Sequence, residues 1–462
     1  MTEHMKDKHP PTKGRKLPSL KMASYAGLTA GAIVFVCVLA LLLFADPIVN
    51  KYVKPRIIKA FVKAYPAYSI RIANMNYSVL KNRFGFDSVA LKAADGTFSG
   101  NMNSFTVSGI CWMHLLWGGS LTPNDFGSSI VVAHDIGLNF QQSHYRLRCG
   151  LLRASVPASE MVTDSIRYYC VEDDEQFFAA SQFRQTRFRF DVPQMKIAGL
   201  DYLTLLQENI YRAKSITTHD MFADILVNMD KPYDKNSSNP QMPNEALSSM
   251  KGIVNVGSVN IVNGRLKYCE RVVVKGTPGV IAFNKVNVSV SGIANHTAHP
   301  DTAVIHADGL FMNSGTMTLF MAIPLTSTDF SIRYSGSLNT TDVTELNAFL
   351  EPMEHRRIKS GILQSATFDV NVIAGRASGA LRVVYKDLSI AVLNKNTGSE
   401  KGIFNRISSL AGEAFVIRRT NMPNGKGSMK IGKIQYTRNP DDYFLQFAWF
   451  ALRTGVQDVV GF

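Results

Sequence analysis

The chain has 462 residues, too many for one compact core and few enough for two or three. Hydrophobic content of 46% and charged content of 19% are those of a folded chain, which excludes wholesale disorder. The net charge of +14, from 50 Lys and Arg against 36 Asp and Glu, favours anionic surfaces. The basic residues are scattered except beside one apolar segment, so no nucleic-acid footprint is expected.

Residues 1–22 form a basic tail containing Lys6, Lys8, Lys13, Arg15, Lys16 and Lys21. From Ala23 to Ala45 no residue is charged, and a helix of that length spans a hydrocarbon core of about 30 Å at about 1.5 Å per residue. The run is longer than the apolar region of a cleavable signal peptide, so it is expected to stay as a single-pass anchor. Lys51, Lys54, Arg56, Lys59 and Lys63 follow it, so flanking charge is nearly balanced. A short tail facing a long domain then places the N-terminus in the cytoplasm and the domain across the membrane. Gly27 and Gly31 have the spacing that lets two such helices approach; a homodimer and a lipid-facing helix with small residues both remain open.

Residues 46–66 read as an amphipathic stem, with Ile48, Tyr52, Ile57, Ile58, Phe61 and Val62 opposite the basic residues. It is either a collar at headgroup level or a helix packed on the domain. Residues 67–230 and 251–462 are two β-rich halves, and residues 231–250, rich in Pro, Asn and Ser, are a linker or loop between them. Alternation in Ile70-Arg71-Ile72, Val286 to Val290, Phe368 to Val372 and Leu388 to Val392 predicts strands with one apolar face. Val107-Ser108-Gly109-Ile110 recurs as Val290-Ser291-Gly292-Ile293, which suggests that the halves are related. One helix is expected after Asp342, where Glu345 completes a capping box and Leu346, Phe349, Leu350 and Met353 follow at helical spacing. Tyr443 to Leu452 is expected as a strand that packs into the end of the β-structure and closes its edge.

Of five cysteines, Cys37 lies in the apolar segment. No CxxC occurs, and the sequence leaves a Cys149–Cys170 disulfide and buried free thiols as alternatives. HExxH, GxSxG, Walker A and GxGxxG motifs are absent, the histidines are scattered, and Asp173-Asp174-Glu175 lacks the spacing and glycine of a calcium loop. The expectation is a non-enzymatic protein with no metal and no cofactor.

Three stretches resemble the AsmA-like bacterial envelope proteins, in particular their members of unknown function: SFTVSGICWMHLL (104–116), SVNIVNGRLKYCERVVVKGTPGVIAFNKVNVSVSGIAN (258–295), and Gly309 to Asn394 with GTMTLFMAIPL and GALRVVYKDLSIAVL. The resemblance implies an inner-membrane anchor, a periplasmic domain, and an elongated, curved antiparallel sheet forming an apolar groove for phospholipid. Some twenty strands at about 4.8 Å would make that sheet about 100 Å long if unbroken. The groove is expected to be lined by Val286, Val288, Val290, Phe368, Val370, Val372, Leu388, Ile390 and Val392. The partners are then membrane phospholipid and other envelope proteins. The alternative is an envelope scaffold in which the same residues close into an ordinary core.

Overall fold

The computed structural model describes residues 45–111, 122–208, 210–234, 239–296, 302–325, 327, 329–394, 398–403, 406–408 and 414–461. The predicted anchor, apart from Ala45, lies outside these residues, with Gly27, Gly31 and Cys37. Among the described residues no helix is long and apolar enough to cross a membrane.

The protein is mostly β, built as one long sheet with few helices. Strands β1 (Tyr68–Ser78), β2 (Arg83–Ala93), β3 (Phe98–Ser108), β4 (Ile130–Phe140), β5 (Tyr145–Ser155), β6 (Glu160–Cys170) and β7 (Thr186–Ala198) form an antiparallel meander. Strands β8 (Ile210–His219) and β9 (Phe222–Asn228) lie end to end, both antiparallel to β7 and both parallel to β10 (Ile253–Arg271). The meander resumes through β11 (Gly279–Ala294), β12 (Thr302–Phe311), β13 (Gly315–Pro324), β14 (Ile332–Asp342), β15 (Arg356–Ile373) and β16 (Arg376–Leu393). Both β17 (Glu400–Ile403) and β20 (Gly432–Thr437) pair with β16, while β18 (Arg406–Ser408) and β19 (Ala414–Val416) form a separate ribbon. Among the described residues eighteen strands thus fill sixteen positions, because β8 shares one with β9 and β17 shares one with β20. At about 4.8 Å per position the sheet is roughly 70 Å long.

The sheet is not divided at residues 231–250. That segment is the crossover that parallel β9 and β10 require. It carries a short helix, α4 (Pro243–Ser248), after α1 (Lys54–Ala64), α2 (Asp174–Ala179) and α3 (Tyr202–Glu208). Met242 is fully buried, Arg438 holds Glu245 at 2.9 Å, and Asn244 donates to the carbonyls of Ser327 and Asp329. In the two VSGI copies, Gly109 (φ +76°) follows the end of β3 and Gly292 (φ +73°) lies two residues before the end of β11, and at each a Cβ would strike a carbonyl, that of Ser128 or Thr302. Gly199 (φ +65°) likewise follows the end of a strand, β7.

Helices lie along β1 at one edge and along β20 at the other, and they also satisfy edge backbone groups there. A π-turn (Val49–Val53) and α1 run along β1 and bury Val49 against Ile72, Met75 and Val89, which places the stem on the domain. The Asn50 side-chain amide pairs with both backbone groups of Met75 (2.9 and 2.5 Å), Asp46 accepts from the Tyr77 N–H (2.8 Å), and Lys54 donates to the Ala73 carbonyl (2.9 Å). At the other end α6 (Phe444–Val460), which follows α5 (Asn347–Glu354), lies along β20. There Asp458 accepts from the Lys433 N–H (2.8 Å) and Thr454 from the Gln435 N–H (3.1 Å). Exposed edges invite pairing between molecules, and these helices block it along β1 and β20. Asn50→Leu, which leaves both Met75 groups unpaired, is expected to cost about 1–3 kcal/mol by urea denaturation. An unchanged midpoint would remove the edge-capping role.

One alternative is decided and one expectation is corrected. Cys149 and Cys170 are free thiols: the register of β5 and β6 sets Tyr145 opposite Cys170, so Cys149 lies four residues along, about 13 Å away, beyond the roughly 7 Å limit for a disulfide. Residues 443–452 are not a strand. Phe447, Ala451, Gly455 and Val459 are buried at a spacing of four on α6, a helical period. The segment does close the edge of the sheet, in that form.

Candidate functional site

Directly paired residues share a face of a sheet, so the strand registers can be read as rows across the molecule. One row runs Tyr77, Phe84, Val107, Val131, Ala154, Met161, Ile197, Ile216, Val259, Val290, Ile305, Met321, Tyr334, Val370, Gly379, Ile434, with no charge at any of the sixteen positions. The next runs from Met75, Phe86, Phe105, Ala133 and Leu152 through Ile261, Val288, Ala307 and Leu319 to Phe368, Leu381 and Gly432. Thr163 and Thr218 supply its hydroxyls. A third runs from Ile70 and Leu91 through Leu138, Leu147, Tyr168, Phe190 and Leu266 to Phe283 and Phe311. Together they form one apolar face along the sheet, termed the trough.

Maintaining this face takes a local device. Ser88, Asp135, Ser165, Asn263 and Lys285 have φ between +47° and +56° and interrupt β2, β4, β6, β10 and β11. Each irregularity shifts the inward phase by one residue: Phe84 and Phe86 face inward before Ser88, and Val89 and Leu91 after it. Asp and Asn are among the residues that tolerate this conformation.

The ends of the trough are filled by the protein itself. At β1 the stem covers Ile72 and Met75. At the other end α6 and the crossover enclose Met321, Tyr334, Val370, Val372, Leu381 and Ile434 around Met242, Phe447 and Ala451. Between them Leu152, Met195, Ile261, Val288, Ala307 and Leu319 are only half-buried. The nine predicted lining residues therefore separate. Val286, Val288 and Val290 lie in the open stretch. Phe368 packs on the margin of the closed part, and Val370 and Val372 are at its centre. Leu388 and Ile390 are buried with Val459 and Val460, beside half-buried Val392. Sequence reasoning missed the half of the trough in β2 to β7, where short alternations such as Phe84-x-Phe86 were its signal.

One buried acid lies on the same face beyond the third row, four residues after Leu266. Glu270, near the end of β10, is 7% exposed and accepts from the Tyr268 hydroxyl at 2.6 Å. Burial raises its pKa above the usual carboxylate range, against the smaller opposing effects of that hydrogen bond and of Arg184 and Arg453. A raised carboxyl favours the folded state when protonated, so its contribution is lost as pH rises from the ordinary Glu range through the raised value. Glu270→Gln, neutral throughout, is expected to lose less stability between pH 5 and 8 than the wild type in urea denaturation. Equal losses would contradict that assignment.

Among the described residues no cluster of His, Cys, Asp and Glu is placed to hold a metal. No protein-family model matches the chain, and no curated protein matches it.

Proposed function

We propose that the chain is an AsmA-like envelope protein, held in the inner membrane by residues 23–45 with its domain in the periplasm, that shelters lipid acyl chains in the open part of the trough without catalysis. The observation that carries this reading is the uncharged sixteen-position row, half-exposed between its two helical ends. Each CH₂ taken from water is worth about 0.8 kcal/mol, so acyl chains gain affinity there without a polar site. The curvature that would make the trough a groove belongs to the same proposal, as does a lipid-handling role in envelope homeostasis.

The second reading is a scaffold with a closed core. It draws on the C-terminal end, where Val370, Ile434, Phe447 and Ala451 have no exposed surface. A fluorescent fatty acid separates the two: the full chain in detergent is expected to bind it saturably, with displacement by phospholipid and loss of binding in Val288→Glu. Equal binding by wild type and variant would reject the trough as the site.

A further inference from the structure

The face opposite the trough is polar, and its charge is unevenly distributed. One cross-strand row there contains Arg71, Arg148, Arg167 and Arg265, and the row beside it contains Lys92 and Arg146. Arg148 and Arg167 are directly opposite each other on β5 and β6, and Asp191, opposite Arg167 on β7, supplies a counter-charge, which leaves the pair with a net positive charge. The carboxylates of these rows, Asp191 and Asp224, are already held by Arg167 (3.0 Å) and Arg187 (3.1 Å). A hollow of about 560 Å³ at this end of the stripe is lined by Arg148, Arg167 and Arg189 together with Glu172, Asp173 and Asp191, so the stripe's excess of positive charge lies in the rows and not in the hollow.

We propose that this stripe is a docking surface for an acidic polypeptide. From β1 to β10 it is about 40 Å long, and with side-chain reach its area is on the order of 800 Å², what one partner contributes to a stable protein interface. Guanidinium pairs favour planar carboxylates, which they bind with two hydrogen bonds. The bilayer of the predicted anchor is a poorer fit. Arg71 lies beside Ile70, which packs with Ile57 and Ile58, about 20 Å along the stem helix from Ala45, and a Debye length is about 8–10 Å in physiological salt. The inference is independent of what occupies the trough.

The test uses the full chain in uncharged detergent, with a fluorescein-labelled poly-L-glutamate of about 20 residues as probe, read by anisotropy. Wild type is expected to bind at 50 mM salt and to lose at least tenfold in affinity at 500 mM. R71E/R148E is expected to weaken binding at least tenfold. R376E/R382E, the same change of net charge on exposed residues of β16, is expected to weaken it less than twofold. Equal weakening by the two pairs, no binding by wild type, or tighter binding to anionic vesicles than to the peptide would each overturn the proposal.

Discussion

Phe447→Ala is expected to destabilise the domain by about 3–5 kcal/mol, and Trp449→Ala, two residues later, by no more than about 0.5 kcal/mol. Phe447 has no exposed surface and packs edge-on to Phe330 with ring centroids 5.0 Å apart. It belongs to the cluster containing Tyr334, Val370 and Ile434. Trp449 is 45% exposed. In a strand the two side chains would share a face and their losses would be similar; on α6 they point apart. Urea denaturation of both variants decides it, and comparable losses would remove α6 from the account. Deleting residues 443–462 is expected to have the larger consequence of an aggregating domain, since it uncovers the closed part of the trough and the β20 edge together.

The second large effect is a contrast between two valines on one face. Val370→Glu puts a carboxylate where no surface is exposed, beneath α6, and is expected to cost more than about 4 kcal/mol, which amounts to unfolding for a domain of ordinary stability. Val288 is half-buried in the open stretch. A glutamate there can turn toward water, so Val288→Glu is expected to cost only about 1 kcal/mol while abolishing fatty-acid binding. Thermal denaturation in parallel with the binding assay gives both answers. If both variants unfold, the whole face is a closed core and the scaffold reading prevails.

How much of this was legible in the sequence depended on local phase. Val286 to Val290 and Phe368 to Val372 alternate without interruption, and their apolar face is visible by inspection. Across β2, the run Phe84, Phe86, Val89, Leu91 changes phase at Ser88, and a period-two reading breaks there although the strand does not. The same happens at Asp135 and Ser165, which is why strands of eleven residues read as fragments of three to five. At the C-terminus the aromatic residues Tyr443, Phe447 and Trp449 suggested alternation. The small residues Ala451 and Gly455, whose spacing from Phe447 is helical, decided the packing: Gly455 fits against Leu381 and Ile434 so closely that a Cβ would lie within 3 Å of each. The Cys149–Cys170 separation depended on the pairing register, which no spacing along the chain supplies. The trough as a continuous surface was hidden for the same reason, since its rows join residues from sixteen strand positions.

The central claim, that acyl chains occupy the open trough, is tested most directly by photo-crosslinking from neighbouring residues on opposite faces. Benzoylphenylalanine placed singly at Leu152 and Val288, and at their outward neighbours Arg153 and Ser289, is irradiated in cells, and the purified chain is analysed by intact-mass spectrometry. Adducts with the mass of a phospholipid are expected from Leu152 and Val288 and not from Arg153 or Ser289. No adduct from the trough positions, or equal adducts from the two faces, would contradict the account.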